Sequence, residues 1–161
     1  MPTTYEPIAT TTLGSAQASF SFTSIPGTYT DLVAVVVAET GGNLKIELNS
    51  DTGSNYSNTV LYGAGSSALS ARNTNSTGFL FGTTAQVLGN GVNIYYFMNY
   101  SNTTTNKTAL SRGNDVDNSL VRADVGLWRN TSAITSIRFI SNLGANLATG
   151  SVFTLYGIKA A

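Results

Sequence analysis

There is no cysteine and no histidine among the 161 residues. The first absence removes disulfides and thiolate nucleophiles, and the two together remove Ser-His-Asp triads and the common zinc ligand sets. Charge is scarce as well: 10% of residues carry it, and eight Lys+Arg balance eight Asp+Glu. A chain with no net field has nothing that draws in nucleic acid or anionic lipid, so neither is expected as a partner. Long apolar runs are missing. The longest, Leu32 to Ala38, is far short of the ~20 residues a membrane helix needs. The opening "MPTTYEPIATTT" has neither the basic stretch nor the apolar stretch of a secretory leader.

What stands in place of charge is neutral hydrogen bonding, since Ser, Thr and Asn together number 57. A hydrophobic fraction of 42% supports a folded core, and the length suits one domain, 1–161. Leu44, Ile46 and Leu48 alternate with polar residues, the period of a half-buried strand. "DLVAVVVAET" before them is apolar on both faces, and Gly41-Gly42 between the two runs predicts a tight hairpin over 31–49. Similar runs occupy 18–22, 93–100, 119–129, 134–140 and 151–159. "SIPG" at 24–27, "GNG" at 89–91 and "NLGAN" at 142–146 are expected as turns between them. No segment sustains a helical period. The expectation is an all-β fold, an antiparallel β-sandwich of the jelly-roll kind, with the doubly apolar strands 32–38 and 152–158 at the sheet centres or under a neighbouring subunit.

Several motifs imitate chemistry. Asp51-Thr52-Gly53-Ser54 has the letters that hold the catalytic aspartate of pepsin-like proteases, but those enzymes need two carboxylates sharing a proton in a dry cleft. Here Asn49 and Ser50 precede the aspartate, and "SDTGSN" reads as turn chemistry. Gly63-Ala64-Gly65-Ser66-Ser67-Ala68 fits a degenerate dinucleotide fingerprint, yet no helix pattern and no acidic residue follow at the required distance, so it reads as a loop. Asp115-Val116-Asp117-Asn118 begins like a calcium loop, but Leu120 and Gly126 stand where Gly and Glu are needed. An irregular surface ion at Asp115 and Asp117 is set against a plain solvated loop, and no metal or other cofactor is predicted. Six Asn-X-Ser/Thr triplets match what the Asn, Ser and Thr content gives by chance. Tyr95-Tyr96-Phe97 point to alternate faces and read as core rather than a sugar platform.

Trp128 is the single tryptophan. In "LVRADVGLW" the face of Val121, Ala123, Val125 and Leu127 reads as buried, which sets Trp128 outward beside Arg122 and Asp124. An outward tryptophan next to an arginine suits an interface anchor or a ligand stack; an ordinary edge-shielding role is the alternative.

The stretches "YEPIATTTLGSAQASFSFTSIPGTYTDLV", "LNSDTGSNYSNTVLYG", "FMNYSNTTTNKTALSRGN", "GLWRNTSAITSIRF" and "SVFTLYGIKAA" resemble small virion proteins of tailed bacteriophages over nearly the whole chain. That family occurs as stand-alone structural proteins and as modules of larger fibres. The resemblance implies a β-sandwich on the particle exterior, made in the host cytoplasm, commonly trimeric, and it brings no catalytic residues. With the last strand running to Lys159, the whole chain is expected to be that module. Three functions are then ranked. The first is a non-enzymatic capsid-decoration (cement) or head-fibre protein that contacts the major capsid protein and copies of itself. Its contacts are expected through an extended N-terminal arm, residues 1–13, presenting Tyr5, Pro7 and Ile8, and through Trp128 with Arg122. The second is a tail-fibre module binding host glycan through loops 50–58 and 99–107, with Asp51, Asn55, Tyr56, Tyr100 and Asn102 as contact residues. The third, an aspartic protease dimer built on Asp51 or a two-carboxylate glycosidase, ranks last.

Overall fold

The computed structural model describes residues 4–81, 88–115 and 119–159. Twelve strands follow in chain order: β1 (Tyr5–Thr12), β2 (Ser19–Phe22), β3 (Asp31–Thr40), β4 (Leu44–Leu48), β5 (Tyr56–Ala64), β6 (Ser67–Ser76), β7 (Phe79–Leu80), β8 (Leu88–Phe97), β9 (Lys107–Asp115), β10 (Leu120–Trp128), β11 (Ile137–Ser141) and β12 (Val152–Ile158). They form two antiparallel sheets, eight strands in the order β1-β12-β3-β8-β9-β10-β5-β6 and four in the order β2-β11-β4-β7. The fold is an antiparallel β-sandwich, jelly-roll-like, as the alternating pattern predicts. No helix occurs among the described residues.

Between the sheets lies one core. Leu32, Ala34 and Val36 of β3 and Phe153 and Leu155 of β12 meet Ile46 and Leu48 of β4 and Ile137 and Phe139 of β11. Aromatic rings run through it in contact: Phe139 lies 5.3 Å from Phe153 and 6.0 Å from Tyr95, and Phe81 5.4 Å from Tyr95. Offset and edge contacts of this kind add to the area term. The doubly apolar β3 and β12 are interior strands of the larger sheet, one of the two places expected for them.

Four local expectations change. Strands β3 and β4 do not form a hairpin, because β3 belongs to the eight-stranded sheet and β4 to the other, so 41–43 is a crossover between layers. Neither glycine there has a positive φ. Gly42 is needed for close approach instead: a Cβ would sit 2.7 Å from Ser141 Oγ and 2.8 Å from Asn142 Oδ1. Residues 89–91 lie inside β8 rather than in a turn. Residues 5–12 are no free arm. They make β1, paired with β12 from Tyr5↔Ile158 to Thr12↔Val152, with a bulge at Ile8. Finally the loop expected at 63–68 is mostly strand, its ends belonging to β5 and to β6, a ten-residue edge strand. An edge strand with wet side chains on both faces needs no apolar alternation, which is why its Asn, Ser and Thr concealed it. Between β5 and β6 the hairpin turns at Gly65, φ 56°.

Gly126 of β10 is the tightest point of the core on that strand. A Cβ there would lie 2.6 Å from the Phe79 ring, which is itself fully buried against Tyr56 and Phe81. Gly126→Ala is therefore expected to cost about 1–3 kcal/mol through overpacking, seen as a fall in Tm of roughly 3–10 °C in a thermal melt.

Candidate functional site

The stretch Leu48 to Ser57 joins the small sheet to the large one. Asn49 and Ser50 adopt left-handed backbone, φ 52° and 57°, and the Asp51 N–H donates to Leu48 O at 2.9 Å, closing a tight turn. Asp51 then bonds its own loop as short acidic turn residues do. Its Oδ1 accepts from Gly53 N at 2.8 Å, and its Oδ2 accepts from Asn55 Nδ2 at 2.9 Å. A further donor comes from β10, the strand paired with β5: Trp128 Nε1 donates to Oδ2 at 2.7 Å. Burial alone would raise the Asp51 carboxyl, but the bonds from Trp128, Asn55, Gly53 and Asn130 outweigh it and hold the group below its ordinary value.

Trp128 is fully buried, not outward. Its ring stacks on Tyr56 at 6.0 Å, and Tyr56 is fully buried too, its hydroxyl accepting from Leu48 N at 3.0 Å and donating to Asp51 O at 3.1 Å. Burial pushes that hydroxyl well above the ordinary tyrosine range. Thus Trp128 and Arg122 are withdrawn as an interface pair, and Tyr56 as a ligand contact. Along β10 the expected sidedness is reversed: Arg122, Asp124, Gly126 and Trp128 face in, while Val121, Ala123 and Val125 face out. The inward charges are paired. Arg122 Nη2 donates to Asn93 Oδ1 at 2.8 Å, its Nε lies 3.6 Å from Asp124 Oδ2, and Ser111 Oγ donates to that oxygen at 3.0 Å. These partners come from neighbouring strands in register, Asn93 and Arg122 both opposite Gly113, and Asp124 opposite Ser111.

The second expected ligand loop is also structural. Tyr100 is fully buried; its hydroxyl donates to Pro26 O and accepts from Tyr29 N at 3.4 Å, and burial raises it above its ordinary value. Asn102 Oδ1 accepts from Thr104 N at 2.7 Å and Thr105 N at 2.9 Å, capping its own turn. Lys107 is buried and lowered by desolvation, with Nζ donating to Thr105 O at 2.7 Å and Thr131 O at 3.0 Å, which ties that loop to the one after β10. Asp115 is buried at the end of β9 rather than displayed on a loop, and Asp117 lies outside the described residues. Among the described residues no group of three or more Asp and Glu is placed to hold a metal ion.

Of the expected contact residues, Tyr5 and Pro7 remain exposed on β1, while Ile8 is half-buried against the core. That strand is five inter-strand spacings from β10 in the sheet order, ~24 Å, so the structure does not bring Tyr5, Pro7 and Ile8 together with Trp128. What it assembles instead is the outward face of the large sheet. Val37 of β3, Val92 of β8, Leu110 of β9, Val121 and Val125 of β10 and Leu61 of β5 are 41%, 43%, 38%, 65%, 55% and 62% exposed. They share one face by register: Val37 is opposite Val92, Leu110 opposite Val125, and Leu61 opposite Ala123. In the middle of that face, from 33–37 on β3 to 59–63 on β5, the outward positions hold one charged side chain, Arg112. Its guanidinium lies 5.8 Å from the Tyr96 ring centre and donates to the Tyr96 hydroxyl at 3.1 Å. Sequence reasoning missed this face because it assigned the valines of β10 to the core. The volume of Trp128, the bulkiest side chain on the strand, was the signal for the opposite choice.

No protein-family model matches the chain, and no curated protein is similar to it in sequence. Among solved structures, a galectin of Caenorhabditis elegans, LEC-6, matches 90% of this chain and 94% of its own at 10% identity and a TM-score of 0.38. The alginate lyase Aly36B matches 94% and 80% at 10% identity and a TM-score of 0.32. A PL-14 alginate lyase from Aplysia kurodai matches 94% and 81% at 8% identity and a TM-score of 0.30. Scores this low transfer neither ligand nor chemistry.

Asp51→Ala should leave the Trp128 N–H without its buried acceptor and cost about 2–3 kcal/mol. Urea unfolding followed by the fluorescence of Trp128, the sole tryptophan, measures it, and Asp51→Asn, which keeps one acceptor, should lose less. Because the folded carboxyl titrates below its unfolded value of 3.8, its stabilisation is complete above that pH and declines as pH falls through the folded value. In Asp51→Ala that part of the acid transition should vanish.

Proposed function

We propose that this chain is a non-enzymatic structural protein of a tailed-phage particle. It is displayed on the exterior as a capsid-decoration (cement) or head-fibre subunit and acts by contacts with the major capsid protein and with copies of itself. The observation that carries this reading is the apolar outward face of the eight-stranded sheet, too extensive to be scattered surface residues. The resemblance of the strand and turn segments to small virion proteins supports it. A decoration subunit stabilises a shell by mass action, since anything that binds the assembled state alone shifts the equilibrium toward it. Area and shape are all such a task requires.

The competing chemistry loses its residues. Asp51, on which a protease reading depends, has its carboxylate committed to the Trp128 indole and to its own turn. Glycan recognition by a tail-fibre module loses Tyr56 and Tyr100 as stacking groups, because both rings are in the core.

Antibody raised against the chain should label the outside of intact particles of the virus that encodes it, and shells assembled without it should break at lower temperature. Absence from purified particles, or saturable binding to host cells or a glycan array by the isolated chain, would overturn the assignment.

A further inference from the structure

We propose that the outward face of the eight-stranded sheet is where this chain binds a second copy of itself, face to face; the inference rests on the contact function above and names the partner of that surface. It starts from an inversion. On β8, β9 and β10 the inward side chains include Asn93, Ser111, Arg122 and Asp124, all buried, while the outward ones include Val92, Leu110, Val121 and Val125, all exposed. A sheet with one solvated face normally shows the reverse alternation. Burying an ion pair and exposing a band of valine and leucine both cost free energy in an isolated subunit. The arrangement is consistent if the outward face is itself an interior in the working assembly.

The size fits a second copy. The whole outward face, eight strands ~4.8 Å apart with about seven residues of ~3.4 Å each, presents roughly 900 Å², of which the apolar band from β3 to β5 is five strands or roughly 570 Å². One side of a standard specific interface is about 800 Å², so the band has the size of its apolar core and the flanking strands that of its rim. Charge points the same way. A partner chosen by its charge would find only Arg112 in the middle of the face, and that group is already turned onto Tyr96. A copy of the same face needs only shape and apolar area, and chains with eight basic and eight acidic residues do not repel one another at long range. Lipid is a poorer match, since a membrane-facing surface keeps its cations at the rim and Arg112 sits at the centre. An isologous contact of this sort closes on itself.

The test is sedimentation of the full chain over a wide concentration range. The wild type should form a closed dimer, since a face that meets its own copy closes with two chains. The double variant Leu61→Glu with Val121→Glu should be monomeric at the same concentrations, its dissociation constant raised about 30-fold or more. Leu143→Glu, equally exposed but on the loop after β11, should keep the wild-type mass. Unchanged Trp128 fluorescence and circular dichroism show that the variants are folded. A monomeric wild type, or a double variant that keeps the oligomer, overturns the proposal. A monomeric wild type that pellets with phosphatidylcholine vesicles assigns the face to lipid, and one that needs the face to bind particles assigns it to the shell; both overturn self-association. Particle labelling is read separately, so a monomer found on the particle refutes this inference while the virion assignment stands.

Discussion

The Asp51 carboxylate holds the Trp128 indole from the turn that links the two sheets, and the sidedness of β10, with the faces it sets on either side of the large sheet, is tied to that one charge-assisted bond. The turn leaves the small sheet at Leu48 and enters the large one at Tyr56, so anchoring it sets the spacing of the layers at that end. With Trp128 drawn inward, the alternation of β10 is no longer free. Arg122 and Asp124 must share its face, and they are accommodated by Asn93 and Ser111 on the strands alongside. The same alternation sends Val121 and Val125 outward.

Asn49 reinforces this clasp from the other side. Its Oδ1 accepts from Thr135 N at 2.8 Å and Ser136 N at 3.1 Å, and its Nδ2 donates to Ala133 O at 2.7 Å, fastening the turn to the segment that leads into β11. Arg129, directly after Trp128, adds a bond from its Nη2 to Ser54 O at 2.7 Å. A chain poor in charge thus uses its few ionic groups and its many amides as internal fasteners. That economy leaves Arg112 as the one charge in the middle of the large sheet's outward face, which connects the interior hydrogen bonding to the contact role proposed for the exterior.

The loops follow the same logic. The stretches around Asp51 and Asn102 have the composition of recognition loops, Asn, Thr, Ser and Tyr, yet their side chains are consumed in holding backbone turns. Tyr56 and Tyr100 are rivets through the core, each with its hydroxyl bonded to main chain at the rim. Polar composition marks where a turn lies; whether its side chains face a ligand or the loop's own amides depends on which donors the fold brings near.

Side-chain alternation, short apolar runs and turn residues were enough to specify an all-β sandwich, the strands β2, β3, β4, β10, β11 and β12, the second half of β8, and turn chemistry at Asp51, because these are local consequences of residue pattern and backbone preference. Tertiary structure decided the rest. Whether 31–49 closed as a hairpin or crossed between sheets depended on distant strands, β8 and β12 pairing with β3 and β7 and β11 with β4. Whether residues 5–12 were an arm or a strand depended on the open edge of β12. Which face of β10 turned inward was open locally, since both faces carry large apolar groups. The fold settled it by bringing the Asp51 carboxylate to Trp128, and Asn93 and Ser111 to the inward charges Arg122 and Asp124, which gave the buried polar groups of that face partners from other strands.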